Sequence, residues 1–469
     1  MKPARFDWTC DFFRDRICQD RYFCPCRGDN GTCHAMGEKR CLIIADDLTG
    51  AADAGAHFAG RGLRTLLVSF GKGGIRSRRS GPCGPAIEIL AVNTASRALP
   101  PAEAFRIHAD LLGTHGREAF PILYKKIDST LRGNIGAEIE AVLRQTSLPV
   151  CLLAPSYPEQ GRTLEGGILM VDRKPLSLTE AARDATSPVR ESDLCRLLAD
   201  QTSLSVGSVD LSAVAAGKRR LGEWVREKMA GGCRIVVCDA TSRRDLKTIA
   251  EAAFSMPTMP LLAGSSGLAG EVARIVAPAK IDAETGLKKR FGHILIVAGS
   301  ASTVTQKQIH RLETDGIPTG ELPRSLVAGG GRAGTAERKR IIGLLGRALA
   351  RGCAILRTFS ERAIAQNDAA LPVPQRIAGL LAGMALEILR ESRVDRDDLA
   401  LVLIGGDTAL NVLQSLDYGG IALEGELLAG IVRGNLRGGP WNGLAIVTKA
   451  GAFGREDTLR QIIEKLGKG

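Results

Sequence analysis

Aromatic residues are scarce in this chain: Phe, Tyr and Trp together make up 4% of its 469 residues. So few rings do not furnish a platform for stacking exposed bases, and no helix-turn-helix, zinc-finger or RNA-recognition signature occurs. No apolar run approaches the roughly 20 residues that cross a bilayer, so neither a nucleic acid nor a membrane is expected as a partner. The motif G-x-x-x-x-G-K-[ST] is missing, which excludes a P-loop nucleotide site. A G-x-G-x-x-G match at Gly329, Gly331 and Gly334 follows no apolar strand and reads as a flexible loop, not a dinucleotide site. Histidine is limited to 6 residues. His57, His108, His115 and His310 lie in helical or loop contexts without catalytic partners nearby, and no histidine is assigned a role. Cys24, Cys26, Cys33 and His34 fit no common zinc frame, so no metal ligand is assigned.

Glycine, by contrast, is abundant at 55 residues, and hydrophobic and charged contents of 44% and 24% are those of a soluble globular protein. The length suits two or three domains. The net charge of +12 is spread over separate clusters, Arg76-Arg78-Arg79, Lys288-Lys289-Arg290 and Arg338-Lys339-Arg340, which read as solvated surface. Cysteines beyond residue 35 sit mostly in apolar strand-like runs, as small buried hydrophobes of a reducing compartment do, and the cytoplasm is the expected location. Residues 1–37 lack periodicity and read as an extension outside the fold, with Met36 as the expected natural start.

From Arg40 onward, short apolar runs alternate with helical patterns, which predicts an α/β fold of two domains with largely parallel sheets. The first domain is expected over 38–276 and the second over 292–469. The polar stretch 277–291 links them, and the active site is expected in the cleft between them. Ligands of open α/β sheets sit at the carboxyl ends of strands, and several polar turns fall there. Leu42-Ile43-Ile44-Ala45 runs into Asp46 and Asp47 and then a helix. Asp47 reads equally well as an N-cap, but a second adjacent acid exceeds what capping needs. A later strand ends in Asn93 and Arg97. Another enters Lys125-Lys126-Ile127-Asp128-Ser129-Thr130-Leu131-Arg132, in which Lys125 is expected to face solvent by strand alternation. Lysine and arginine hold carboxylates, and Asp128, Ser129 and their neighbours can hydrogen-bond sugar hydroxyls. Together these turns suit a small polyhydroxy acid.

The second domain carries three strand-to-glycine junctions: Gly299-Ser300-Ala301-Ser302, Gly405-Gly406-Asp407-Thr408, and Lys449-Ala450-Gly451. Glycine permits close backbone approach and helix starts favour anions. If their strands are parallel neighbours, the three loops surround one crevice suited to a nucleotide triphosphate.

In this order, IIADDLTGAADAG, KKIDSTLRGN, APSYPEQGR, GSAS, GGDT and KAGAFG resemble the four-carbon acid sugar kinases, from about Arg40 to the C-terminus. The resemblance implies ATP-dependent phosphorylation of an acid such as threonate, erythronate or 3-oxo-tetronate. It places Asp46, Asp47, Lys126, Asp128 and Arg132 in the sugar-acid site, and Ser300, Gly405 to Thr408 and Gly451 at ATP. Mg²⁺ would lie across the phosphates, Asp47 would orient or deprotonate the attacking hydroxyl, and Lys126 and Arg132 would hold the substrate carboxylate or offset charge on the transferred phosphoryl. Asn93, Arg97 and Ser129 complete the expected substrate set, and Ser302 and Lys449 the nucleotide set. Two rivals remain: carboxylate activation on the same scaffold, and a sensor without catalysis. A homo-oligomer is permitted but not specified.

Overall fold

The computed structural model describes residues 40–71, 74–75, 87–115, 120–184, 187–278, 288–327, 332–359 and 374–468. Residues 1–35 with Met36, the Arg76–Arg79 cluster, Gly329, Gly331 and most of the 277–291 stretch lie outside them. Gly334 lies in the helix Arg332–Leu349.

The strands of the first half are β1 (Cys41–Ala45), β2 (Thr65–Gly71), β3 (Gly74–Ile75), β4 (Ile89–Asn93), β5 (Ile122–Lys126), β6 (Cys151–Ala154), β7 (Arg162–Glu165), β8 (Ile168–Val171), β9 (Lys174–Pro175), β10 (Val206–Val209), β11 (Ile235–Cys238) and β12 (Leu261–Gly264). Those of the second half are β13 (His293–Ala298), β14 (Thr319–Glu321), β15 (Cys353–Arg357), β16 (Leu399–Ile404), β17 (Gly420–Leu428), β18 (Ile431–Arg437) and β19 (Ala445–Lys449). All but β7, β8 and β9 belong to one sheet, ordered β10-β11-β6-β12-β5-β1-β4-β2-β17-β18-β19-β16-β13-β15-β14, with β3 paired to β2. The α/β class with largely parallel strands is what the sequence pattern predicts. That a single sheet runs through both halves is not visible in that pattern.

The join is the β17–β18 hairpin. β17 pairs antiparallel with the start of β2, through Ile421–Leu67, Ala422–Leu66 and Leu423–Thr65, and β18 pairs antiparallel with β19. Three antiparallel steps therefore separate two parallel blocks. In a flat sheet the carboxyl ends of those blocks would lie on opposite edges. Register shifts in β17 at Leu423/Gly425 and Glu426/Leu428 mark bulges, and bulges bend and twist a strand. The bend brings the second block round onto the helix that follows β1.

That helix, α1 (Leu48–Ala59), is buried along nearly its whole length. Its small residues, Gly50, Ala51, Ala52, Ala54, Gly55 and Ala56, let strands approach it closely. At Gly55 an added Cβ would stand 2.6 Å from Leu423 Cδ1, 3.3 Å from Thr65 and 3.5 Å from Ala91, so β17, β2 and β4 converge on that point. The largest hydrophobic core accordingly holds Ala52 and Phe58 of α1 with Ile421 and Leu423 of β17 and with Leu401 and Ile446 of the second block. The opposite faces of the two blocks keep separate cores. Central strands are covered on both faces, as parallel strands require.

Gly55→Val puts two methyl groups where the strands meet. Overpacking of this kind costs about 1–3 kcal/mol, and the urea midpoint of unfolding should fall accordingly. An unchanged midpoint would show that α1 and β17 are not tightly seated.

Candidate active site

The turn after β1 places its two acids differently. Asp46 is buried, and Arg97 forks onto it, Nε to Oδ2 at 2.8 Å and Nη2 to Oδ1 at 2.9 Å. Asp47 caps α1, accepting the Gly50 N–H on Oδ1 at 2.9 Å, and also takes Arg97 Nη2 at 2.8 Å and the Thr49 hydroxyl at 2.5 Å. The N-cap reading of Asp47 is therefore right as far as it goes. Burial opposes the charge on Arg97, but Asp46, Asp47 and Asp128 outweigh it and hold its pKa well above the arginine norm.

Asp128 is the third acid. Arg132 grips it with Nε and Nη2, each at 2.9 Å, and Thr130 donates to it from its hydroxyl. Burial opposes ionisation of Asp128, yet Arg132 and then Arg97 hold its pKa well below the carboxylate norm. The remaining Arg132 nitrogen, Nη1, reaches Asp184 at 3.1 Å. Arg132 thus has carboxylates on all sides and is not a free anion clamp. Lys126 is different: it is buried, and among the described residues its ammonium donates to the Ile127 carbonyl alone, at 3.0 Å. It lies over the start of α1, 3.2 Å from where a Gly50 Cβ would be. Ser129 is buried in the same wall.

Two expectations change here. Lys125 is fully buried rather than solvent-facing, paired with Glu138 at 2.8 Å. Alternation implies solvent only on a half-exposed strand, and β5 lies between β1 and β12, deep in the sheet. Asn93 is buried too, with its amide spent on the fold: Oδ1 accepts the Ala95 N–H at 2.9 Å and Nδ2 donates to Ser69 at 3.2 Å. It shapes the turn at Ala95, where φ is +50°, and so aims Arg97 from below.

Sequence reading passed over the support beneath this site. Glu138 lies on the helix Ile135–Thr146, where it takes the Ser96 hydroxyl at 2.5 Å. Burial opposes its charge, but Lys125 and His108 pull its pKa below the glutamate norm. His108, fully buried beside it, has its own pKa lowered by burial. The signal was present: Ile135, Glu138, Ile139 and Val142 follow the spacing of one buried helical stripe. Asp184, after the small antiparallel sheet β7–β8–β9, left no such signal.

The second half presents its three glycine loops side by side, since β16 lies between β13 and β19 with all three parallel. The loops interlock. The Gly299 N–H donates to Ile404 and the Gly405 N–H to Lys449, at 3.2 and 3.0 Å. Ser302 and Thr305 donate their hydroxyls to the Gly451 carbonyl at 2.8 and 2.7 Å. A Cβ on Gly451 would collide with Ser300, and one on Gly299 with Thr408. Lys449 is buried beneath the loops and donates to the Ala450 and Gly451 carbonyls at 3.2 and 3.3 Å. Burial lowers its pKa to about 7.

The helix after β16, α2 (Gly406–Ser415), begins at Gly405 with φ +98° and has no side chain capping its first turn. Its leading N–H groups remain available to an anion. This bare terminus faces the capped terminus of α1: Asp47 Oδ2 stands 3.0 Å from where a Gly406 Cβ would be, and Thr49 Oγ1 3.6 Å. Asp407, at the open side of the turn, has its pKa raised by the crowding of protein around it and then by the charge of Asp47. Acids of the first half and glycines of the second thus line one cleft.

Residues 41–272 match the family model of a sugar-binding N-terminal domain, and residues 295–459 that of a nucleotide-binding C-terminal domain. The chain is 31% identical to a D-threonate kinase of Salmonella typhimurium, over 89% of this chain and 96% of that one. It is 29% identical to a D-erythronate kinase of Heliobacterium modesticaldum, over 91% and 96%. To a 3-oxo-tetronate kinase of Cupriavidus necator it is 28% identical, over 90% and 96%. Among solved structures, the Haemophilus influenzae protein HI1011 shares the fold, with a TM-score of 0.66 and 22% identity over 90% of this chain and 98% of that one. Two family models on successive segments, and identity of this order sustained along nearly the whole length, establish that the chain belongs to the four-carbon acid sugar kinase family.

Proposed function

We propose that this protein transfers the γ-phosphoryl group of ATP to a hydroxyl of a four-carbon sugar acid of the threonate, erythronate or 3-oxo-tetronate class, in the cytoplasm. One observation carries the reading: the uncapped N-terminus of α2 faces Asp47 across the cleft. The segment 38–276 is then the sugar-acid domain and 292–469 the nucleotide domain, with 277–291 between them.

The residues fit both ligands. Backbone N–H groups at Gly406, Asp407 and Thr408 suit phosphate oxygens, and the Ser300 and Gly451 loops wall the same crevice. ATP supplies the phosphoryl group, and Mg²⁺, for which Asp407 is the carboxylate at hand beside the phosphates, would offset its charge. The Lys126 ammonium, with donors to spare, holds the substrate carboxylate. Asp46 and Asp128, neutralised by Arg97 and Arg132, form a polar wall for hydroxyls. Arg132 therefore acts by fixing Asp128, more than by gripping substrate directly. Asp47 takes the proton of the attacking hydroxyl as its oxygen bonds to phosphorus and the bond to the departing ADP oxygen breaks. Closure of the gap between the two helix starts around both ligands would exclude water, whose attack would waste ATP.

Chain-dependent ADP release on adding C4 sugar acids tests the reading, with product analysis alongside. A hydroxylamine-stable product identifies a phosphate ester; an acyl phosphate, cleaved by hydroxylamine, would point to carboxylate activation instead. Asp47→Asn keeps an N-cap but removes the base, so kcat should fall by roughly 100-fold or more. Because Asp47 abuts Gly406, loss of its charge should leave ATP affinity unchanged or tighter. A near-normal kcat would remove Asp47 from the chemistry.

Lys449 supplies a second test. In the free protein it is neutral above about pH 7, and bound phosphate favours its charged form. ATP binding at pH 8 should therefore take up a proton, seen as a calorimetric enthalpy that varies with buffer ionisation heat, and Lys449→Met should abolish that variation. Without ligand, the unfolded chain keeps this proton up to about 10.5 and the folded chain only to about 7, so stability from this residue rises with pH across that window. The rise should be smaller in Lys449→Met.

A further inference from the structure

Beyond the cleft, further along α1, another set of ligating side chains comes together. Asp53 and His57 are four residues apart and so share one face of the helix. Glu426 meets them from β17, beside the second bulge. One ligand atom from each of the three lies within 4.8 Å of the other two. Asp53 is only 8% exposed, and its Oδ1 has no hydrogen-bond partner among the described residues. A carboxylate oxygen buried without a donor is costly, so something should neutralise it.

Lys126 and His57 offset its charge only in part. Lys126 directs its ammonium to the Ile127 carbonyl at 3.0 Å. Arg274, next to His57, is paired with Glu271. The other contacts orient the three side chains. Ser266 Oγ lies 3.0 Å from His57 Nε2, which leaves Nδ1 toward Glu426, 3.9 Å from Oε2. Glu426 Oε1 accepts the Gly430 N–H at 2.8 Å, leaving Oε2 toward the imidazole. Such outer contacts are what hold metal ligands in position.

We propose that Asp53, His57 and Glu426 bind one divalent transition-metal ion of the manganese-to-zinc range. One imidazole and two carboxylates suit these ions, while Mg²⁺ prefers oxygen alone. Bonds of about 2.0–2.2 Å set tetrahedral ligand atoms roughly 3–3.5 Å apart, so ligand atoms now within 4.8 Å of one another would draw together on the ion. The ion joins α1 to β17 and so ties the two halves together at a point away from the phosphates. It is separate from any Mg²⁺ carried by ATP.

The test uses the full chain, stripped with chelator, dialysed, and titrated with CoCl₂ in excess MgCl₂ without nucleotide. Visible d–d absorption should saturate at one equivalent without thiolate charge-transfer bands, and Tm should rise with cobalt. Asp53→Asn and Glu426→Gln should each weaken cobalt binding by more than about 100-fold, beyond the 10–100-fold typical of outer-shell losses, while their metal-free Tm stays near that of the metal-free parent. The proposal is overturned if the parent chain shows no saturable one-equivalent binding, if the bands report thiolate ligation, or if both variants bind as the parent does. Should either variant fail to fold, the parent titration and His57→Gln decide the matter.

Discussion

The fork of Arg97 onto Asp46 and Asp47 is the interaction on which the site depends. Two adjacent acids at one strand end repel each other, and a third, Asp128, lies close by. A single part-buried guanidinium, 2.8 Å from each of the adjacent pair and 3.7 Å from Asp128, makes the group tolerable. Its planar, permanently charged fork is what allows one side chain to serve several carboxylates. The turn that carries Arg97 is in turn fixed by Asn93 and by Ser96 on Glu138, so the buried Lys125–Glu138 pair positions the surface chemistry from beneath. Breaking such a pair on one side leaves an uncompensated charge, which couples the deep network to the site.

Geometry then separates two acids that are chemically alike. Asp46 is turned inward and committed to Arg97. Asp47 is turned toward the second half, where a helix begins without a cap. An anion placed between the two helix starts would meet N–H groups on one side and a carboxylate on the other. That asymmetry suits phosphoryl transfer, in which charge is offset on the donor side and a proton is removed on the acceptor side. The interlocked glycine loops make the donor side rigid, because each loop's backbone is held by the next.

The architecture that permits this is a compromise between sheet continuity and cleft formation. One sheet gives the two halves shared core around α1, yet antiparallel steps alone would send their strand ends apart. The bulged hairpin resolves the conflict by bending the sheet at β17. The same bend carries Glu426 to Asp53 and His57, so the seam that forms the cleft also forms the proposed cation site.

How much of this was legible in the sequence follows from the range of the forces involved. Local patterns determined the α/β class, the strand-to-helix turns bearing Asp46, Asp47, Lys126, Asp128 and the glycine loops, and the family to which those motifs belong; each is set by hydrophobic period and turn chemistry over a few residues. Burial of Lys125 was not legible, because alternation along β5 cannot report the strands on either side of it. Nor was the β17–β18 hairpin, whose polar residues Glu424 and Arg433 pair with each other, Arg433 also donating to the Lys289 carbonyl. The meeting of Asp47 with Gly406, and of Asp53 and His57 with Glu426, joins residues more than 350 positions apart. Only the tertiary structure decides such contacts, because they depend on how far the sheet bends, and that is a sum over packing at α1 which no local stretch of sequence contains.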